Sequence, residues 1–477
     1  MPGAAAPPTT LPRIIQGGMG IGVSGWRLAR AVSRRGQLGV VSGCDSLFVR
    51  QLQDGDAGGH LWSAMQRFPI PGVAAAARRA FLLPEGRAPG APYRLLPMQQ
   101  QVMSRARQQL IMLAAFVEVA LAKDGHESRV GMNLLTKVQM PILPTLYGAM
   151  LAGVDYILMG AGIPREIPGA LDALAEGREA KLRLDVDGDA SGAAEYLRFD
   201  PAEHFEGSAP PVLKRPDFLA IVASHALAVM LARKATGRVN GFVIEGPRAG
   251  GHNAPPRSDT LLSERGEPVY GERDDVDLGR IRDLGLPFWI AGGTGHPDRL
   301  RKALDDGAAG IQVGGLFACC DESGIEPGLR RSIVECAARG EVDVFTDPLA
   351  SPTGYPFKVV RWPADPSRGV TRQRRCDIGY LRVAYRKPSG GIGYRCPSEP
   401  VSSYVAKGGL HADTDGRRCL CNALMATVGS AQVAVDGSVE PPLVTGGDDL
   451  KNLAGFLGSR SHYSAADVID WLLGARG

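Results

Sequence analysis

The amino-acid sequence predicts an α/β fold, a closed (β/α)8 TIM barrel, and two observations favour it. Eight short apolar runs are typical of β-strands, and a stretch with helical periodicity follows most of them. Alternating strands and helices indicate a parallel sheet, and eight such units fit a closed barrel better than an open Rossmann sheet. The predicted strands cover residues 13–16, 38–42, 129–133, 155–159, 218–222, 241–245, 288–291 and 310–313.

Helices are predicted between these strands, with one large interruption. The helical stretches include residues 26–35, for which Ser24 is the expected N-cap, and residues 224–236 and 297–306. After the second strand, residues 45–125 break the alternation and are predicted to be a helical insertion, which ends in an amphipathic run over 104–123. The barrel domain is therefore expected to span residues 12–346.

A C-terminal extension, residues 347–477, is predicted from a change in composition. Helical periodicity fades there, Pro and Gly become more frequent, and four cysteines occur before a last helix at 465–473. The basic stretch 358–395 holds ten Lys and Arg against two Asp. Because no recognisable binding motif interleaves aromatics with these charges, we interpret the stretch as a solvated, partly paired face, and a nucleic-acid partner is not expected.

Composition sets the class of protein. The chain has 477 residues, of which 44% are hydrophobic and 22% charged, and this excludes a disordered, collagen-like or coiled-coil protein. The net charge of +4 does not predict a polyanionic partner. We expect a reduced, cytoplasmic protein without a membrane partner, because no secretory signal is visible and the most apolar stretch, 111–122, is too short to span a bilayer. A homo-oligomer remains open.

Glycine is over-represented, with 62 residues where a usual share of roughly 7% would give about 33. Many of these glycines follow predicted strands, at the barrel end where active sites lie. Glycine pairs after the seventh and eighth strands would let backbone N–H groups approach a phosphate. The GxGxxG match after the first strand, residues 20–25, does not lie in a Rossmann context, and the chain contains no GxxxxGK[ST], so a mononucleotide, FMN, is the predicted cofactor.

Two polar residues at strand ends are candidate site residues. His252 directly follows a glycine pair after the sixth strand and could act as a general base near neutral pH. A hydrogen-bonded loop histidine is the alternative, and His296 is the closest competitor. Asn133, at the end of the third strand, could bond the edge of a flavin ring or could cap the next turn.

The late cysteines Cys376, Cys396, Cys419 and Cys421 have the spacing C-x19-C-x22-C-x-C. Four thiolates can hold Zn²⁺ or an iron–sulfur cluster, so these residues are a candidate metal site in the extension. Because the spacing is not that of a zinc ribbon, four buried, reduced thiols are the alternative.

Five segments resemble the nitronate monooxygenase family, formerly called 2-nitropropane dioxygenase, in its long bacterial form. The family is related to the FMN-dependent enoyl-ACP reductases, and the similarity covers residues 12–345. The segments are IIQGGMGIGVSGWRLARAVSRRGQLGVVSG, GMNLL, GFVIEGPRAGGHNAPPR, LPFWIAGGTG and GAAGIQVGGLFACCDESGI.

The resemblance implies a TIM barrel with non-covalent FMN and with His252 as the catalytic histidine. The cofactor-binding residues expected in these segments are Gly17, Gly18, Met19, Asn133, Glu245, Ala249, Gly250, Gly251, Gly292, Gly293, Thr294, Gln312, Gly314 and Gly315.

The implied reaction is oxidation of a nitroalkane or alkyl nitronate by O2 to a carbonyl compound and nitrite, with His252 as general base. An NAD(P)H-dependent enoyl-thioester reductase is the alternative on the same fold. A flavin-bearing scaffold, whose extension binds a partner, is a third hypothesis.

Overall fold

The structure is a computed structural model that describes residues 11–188, 194–258 and 261–474, so the last three residues of the predicted extension lie outside it. The strands are β1 Ile14–Gln16, β2 Gly39–Val41, β3 Val130–Leu135, β4 Tyr156–Gly160, β5 Ala180–Leu184, β6 Val186–Asp187, β7 Glu195–Phe199, β8 Asp217–Val222, β9 Gly241–Glu245, β10 Phe288–Ala291, β11 Gly310–Val313, β12 Asp343–Asp347, β13 Phe357–Arg361, β14 Val383–Arg386 and β15 Ile392–Arg395.

The α-helices are α1 Trp26–Arg34, α2 Asp45–Gln53, α3 His60–Met65, α4 Val73–Phe81, α5 Arg105–Ala122, α6 Ile142–Leu151, α7 Ile167–Ala175, α8 His225–Lys234, α9 Leu278–Arg282, α10 Pro297–Asp305, α11 Gly315–Ala318, α12 Pro327–Ala338, α13 Val401–Ala406, α14 Leu420–Thr427, α15 Leu453–Leu457 and α16 Ala465–Leu472. Short 3-10 helices cover Pro201–His204, Glu272–Asp274, His411–Thr414 and Asp448–Asn452.

Eight parallel strands form the central sheet in the order β1-β11-β10-β9-β8-β4-β3-β2. The two ends of this sheet meet, because the Gln16 N–H donates to the Leu38 carbonyl at 2.9 Å and the Leu38 N–H donates to the Ile14 carbonyl at 3.0 Å. The predicted (β/α)8 barrel is therefore confirmed, and its strands are the eight predicted from the sequence.

The interior of the barrel is filled by large apolar side chains. Ile15, Val40, Leu158, Val243 and Trp289 belong to one buried cluster. Every second residue of a barrel strand faces the interior, and these side chains fill it. Burial on both faces of the sheet explains why these strands are apolar runs in the sequence rather than alternating patterns.

The predicted helical insertion after the second barrel strand is also confirmed. It comprises α2 to α5, followed by the return to the barrel at β3. The longest of these helices, α5, begins where the Ser104 side chain accepts the Arg107 N–H, and it is buried from Leu110 to Ala122. It packs against α6 and α1, so the insertion covers one side of the barrel.

The C-terminal extension packs closely on the barrel and the insertion. Val360 and Leu450 belong to the same buried core as the barrel helices, and α16 contacts α1 and α10. A second core cluster within the extension includes Leu47 from the insertion. The extension also contacts the segment between α7 and β8, because β14 pairs in parallel with β6 of that segment.

Polar contacts reinforce this packing. The Tyr380 hydroxyl donates to Asp45 at the start of the insertion, and Asp45 is also paired with Arg107 at 2.5 Å. In the basic stretch 358–395, Arg386 pairs with Glu195 at 2.9 Å, and Arg372 pairs with Glu440. In the part of the chain that is described, no helix combines the length and apolar character needed to cross a bilayer.

Candidate active site

A cavity of about 280 Å³ lies at the carboxyl ends of the barrel strands. His252 lines it, together with all the predicted cofactor residues except Thr294. These are Gly17, Gly18, Met19, Asn133, Glu245, Ala249, Gly250, Gly251, Gly292, Gly293, Gln312, Gly314 and Gly315. The fold therefore brings residues from five strand ends to a single chamber.

The turn after β1 is held in place by Ser24. Its Oγ accepts the Met19 N–H at 2.8 Å and donates to the Gly17 carbonyl at 2.9 Å. A Cβ on Gly18 would collide with Asn133, so a glycine is required for this close approach. Asn133 uses its Nδ2 to donate to the Gly18 carbonyl at 3.2 Å, so in this structure its amide holds the turn.

The loops after β9 and β10 pack against each other through glycine. Gly292 and Gly293 have φ of +96° and +71°, in the left-handed region that favours glycine. A Cβ on Gly292 would lie 2.9 Å from the Ala249 nitrogen. The Thr294 hydroxyl donates to the Gln312 carbonyl at 2.6 Å. Thr294 therefore ties this loop to β11, and its contact with a cofactor stays a prediction.

Gln312, at the centre of β11, has a buried Oε1 with no hydrogen-bond partner in the described chain. A buried acceptor without a donor is costly, so a hydrogen-bond donor from outside the chain, a bound molecule or water, would stabilise it. Since Gln312 lines the cavity, a bound molecule with an N–H or O–H could satisfy it. A flavin carries both kinds of donor, on its ring and on its ribityl chain, and the residues present therefore fit FMN.

His252 is held between the barrel and the extension. Its Nε2 forms a hydrogen bond with the Ser351 Oγ at 2.7 Å, and the Phe357 ring lies edge-to-face with the imidazole at 4.8 Å. Burial lowers the pKa of His252 to about 4, below the near-neutral value expected from the sequence. The imidazole is therefore neutral at pH 7, and the same burial disfavours the protonated form that it would take as a base.

Glu245 is a second titratable group in the cavity. It ends β9, and burial raises the pKa of its carboxyl to about 8. A second cavity, of about 260 Å³, adjoins the first, and Ala161, Ile221, Glu245 and His252 line both. A protonated carboxyl and a neutral imidazole thus stand at the junction of the two chambers.

Much of the first cavity's wall comes from residues that the sequence analysis did not assign to the cofactor site. Ile111 and Ala115 of α5 contribute to it, and the extension adds apolar and small residues. These are Phe357, Tyr380, Leu381, Leu420, Cys421, Leu424, Thr445, Gly446 and Gly447, together with Asp449. Residues 446–449 are a glycine pair followed by two acidic residues, and glycine pairs also follow several barrel strands. This similarity is the sequence signal that could have identified the segment as part of the cavity wall.

The late cysteines gather around one small cavity, separate from but next to the first. Cys376, Cys396, Cys419 and Cys421 line it, and all four are free thiols. Among the described residues, however, no group of three or more His, Cys, Asp or Glu side chains is arranged to hold a metal ion. Cys419 and Cys421 also belong to an apolar core cluster. The structure gives no support to the zinc or iron–sulfur prediction, and we do not propose it.

Comparisons with protein-family models and with curated proteins return no match. Among solved structures, the chain is similar to FabK from Thermotoga maritima, with 14% identity, a TM-score of 0.47, and 98% of this chain and 92% of FabK covered. It is also similar to a nitroalkane oxidase from Streptomyces ansochromogenes, with 14% identity, a TM-score of 0.44, and coverage of 97% and 96%.

A third similarity is to the enoyl reductase domain of MlnA from Bacillus amyloliquefaciens, at 14% identity and a TM-score of 0.37, with 73% of this chain and 63% of that chain covered. At these TM-scores the similarities do not decide between the reactions.

Proposed function

We propose that the chain is an FMN-dependent oxidoreductase that oxidises a nitroalkane or alkyl nitronate with O2 to a carbonyl compound and nitrite. The observation that carries the proposal is the single cavity in which His252, the unsatisfied Gln312 Oε1 and the glycine loops meet. The sequence resemblance supports the same reaction.

The chain offers a distinct group to each part of FMN. Backbone groups of Gly17, Gly18 and Met19 would pack beside the flavin, and the Gln312 amide would accept a hydrogen bond from it. Backbone N–H groups of the glycine pairs after β10 and β11 would face the phosphate. Bound FMN would supply the electron-accepting chemistry that no side chain offers.

His252 would remove the α-proton of the neutral nitroalkane. Burial lowers the pKa of His252 to about 4, so the unprotonated imidazole predominates at pH 7, and the same burial makes it a weaker base than a free imidazole. The hydrogen bond with Ser351 fixes the direction of one ring nitrogen. Apolar side chains of the extension line the cavity and would limit the access of water to it.

An absorption spectrum and a nitrite assay test this proposal. The purified full-length protein should show the bands of oxidised flavin and should release FMN, rather than FAD, on denaturation. With a nitroalkane it should consume O2 and produce nitrite. A protein that binds no flavin after incubation with FMN would contradict the proposal.

An enoyl-thioester reductase is the second candidate, and Glu245 favours it. Its carboxyl is protonated at neutral pH, because burial raises its pKa to about 8, and it lies in the same cavity as His252. Such a group could deliver a proton to a reduced substrate. Anaerobic mixing with NADPH separates the candidates, since rapid bleaching of the flavin would favour the reductase and a lack of bleaching the oxidase.

A further inference from the structure

The segment 445–449 of the extension is inserted into the cofactor cavity. Its Thr445 Oγ1 accepts the Gly251 N–H at 2.9 Å, and the Asp448 N–H donates to the Arg248 carbonyl at 3.0 Å. A Cβ on Gly250 would lie 2.7 Å from the Gly446 carbonyl carbon. The extension therefore forms part of the cavity wall directly beside the glycine loops.

Asp449 lies between the two loops whose glycines would face a phosphate. Its Oδ1 accepts the Gly295 N–H, in the loop after β10, at 3.1 Å. A Cβ on Gly315, after β11, would lie 3.3 Å from the Asp449 Cβ. Burial raises the pKa of the Asp449 carboxyl, because removal from water disfavours the negative charge of the carboxylate.

Arg248 lies beside the same loops, and its charge acts on Asp449. A Cβ on Gly293 would lie 3.0 Å from the Arg248 Cδ, and the side chain lines the cavity. The other charges that act on Asp449 are Asp448 and Arg299. Asp448 is itself paired with Lys358 at 2.8 Å. One anion and one cation thus flank the glycines.

We propose that Arg248 and Asp449 set the selectivity of this site for the phosphate of FMN, with Arg248 strengthening and Asp449 weakening the binding of that phosphate. This inference rests on the proposed function. A guanidinium attracts a phosphate and a carboxylate repels it, and both effects are strong in a partly desolvated site. Riboflavin has the same ring and ribityl chain without the phosphate, so neither charge should affect it comparably.

The test measures the Kd of FMN and of riboflavin by flavin fluorescence on the full-length chain stripped of flavin. Asp449→Asn keeps an oxygen that can accept the Gly295 N–H and removes the charge. It should lower the Kd of FMN by about tenfold, and Arg248→Gln should raise that Kd by about tenfold. A tenfold change corresponds to one pKa unit of differential interaction. Riboflavin binding should change by less than about twofold in both.

Asp470→Asn is the matched control, because it removes one negative charge on α16, where Asp470 pairs with Arg35 outside the cavity. It should leave both dissociation constants unchanged. If Asp449→Asn changes the Kd of FMN and the Kd of riboflavin by the same factor, Asp449 lies beside the part that the two ligands share, and the inference is overturned. If Asp449→Asn does not fold, an unchanged FMN-to-riboflavin ratio in Arg248→Gln overturns it. Failure of the unmodified chain to bind either flavin would instead overturn the proposed function itself.

Discussion

His252 and Ser351 are joined by a hydrogen bond of 2.7 Å between the imidazole Nε2 and the Ser351 Oγ. His252 belongs to the loop after a barrel strand, and Ser351 belongs to the extension. The Ser351 Oγ also shares a hydrogen bond of 2.8 Å with the Thr353 hydroxyl. The group proposed as the base is therefore oriented by the part of the chain that lies outside the barrel, and this relationship can be tested.

His252→Ala should separate proton removal from the later oxidation. With a neutral nitroalkane, kcat/KM should fall by about 10²- to 10⁴-fold, the usual contribution of a positioned base. With the preformed nitronate, which needs no proton removal, the loss should be below about tenfold. Steady-state O2 consumption with both substrates measures this. Flavin content should stay the same, and equal losses on the two substrates would contradict the base role.

Ser351→Ala should produce a smaller loss of the same kind. One hydrogen bond contributes roughly 1 kcal/mol, so kcat with the neutral nitroalkane should fall by about fivefold, with little change on the nitronate. Ser438→Ala is a suitable control, because Ser438 is an exposed turn residue hydrogen-bonded to Asp436. An unchanged pH profile and kcat in Ser351→Ala would show that Ser351 does not position the imidazole.

The pH profile should be determined by two groups with displaced pKa values. His252 must be neutral to accept a proton, so activity on the nitroalkane should rise with pH through about 4 and then stay level up to about pH 8. Glu245 loses its proton as the pH rises through about 8, which places an anion beside the anionic product, so activity should fall above that pH. Glu245→Gln cannot ionise and should abolish the alkaline limb.

The control for this profile is the absorbance of the bound flavin across the same pH range, which excludes loss of cofactor as the cause of the fall. An alkaline limb that persists in Glu245→Gln would assign it to another group.

The barrel could be predicted from the sequence because its strands are local signals. Each is a short apolar run, such as Gly241–Glu245, that ends in glycine or a polar residue, and burial on both faces makes such runs visible without knowledge of their neighbours. The structure brings most of the residues predicted at strand ends to one cavity, since strand ends of a parallel barrel meet on one face.

The extension's part in the site could not be predicted because it depends on contacts between distant segments. Tyr380 meets Asp45 across 335 positions of sequence, and neither residue carries a motif that names the other. The lowered pKa of His252 could not be predicted from the sequence for a related reason. It depends on burial under Phe357, and burial is a property of the packed chain rather than of the motif. The hydrogen bond from the Thr294 hydroxyl to the Gln312 carbonyl joins two strand ends, and the motif alone does not show it.

Gly250→Ala should loosen the contact between the extension and the barrel. The added Cβ would lie 2.7 Å from the Gly446 carbonyl carbon and 2.8 Å from the Gly447 nitrogen, and both are backbone atoms that cannot rotate away. Overpacking of this kind costs about 1–3 kcal/mol, which should lower the free energy of unfolding in urea and expose the extension to limited proteolysis. Gly246→Ala is the matched control, since its Cβ would meet only the Ala291 carbonyl oxygen, at 3.8 Å.

Because Gly446 and Gly447 line the cavity proposed to hold FMN, Gly250→Ala should also weaken FMN binding, whereas Gly246→Ala should not. Equal stability and equal FMN affinity in the two variants would show that the extension does not hold this wall of the site.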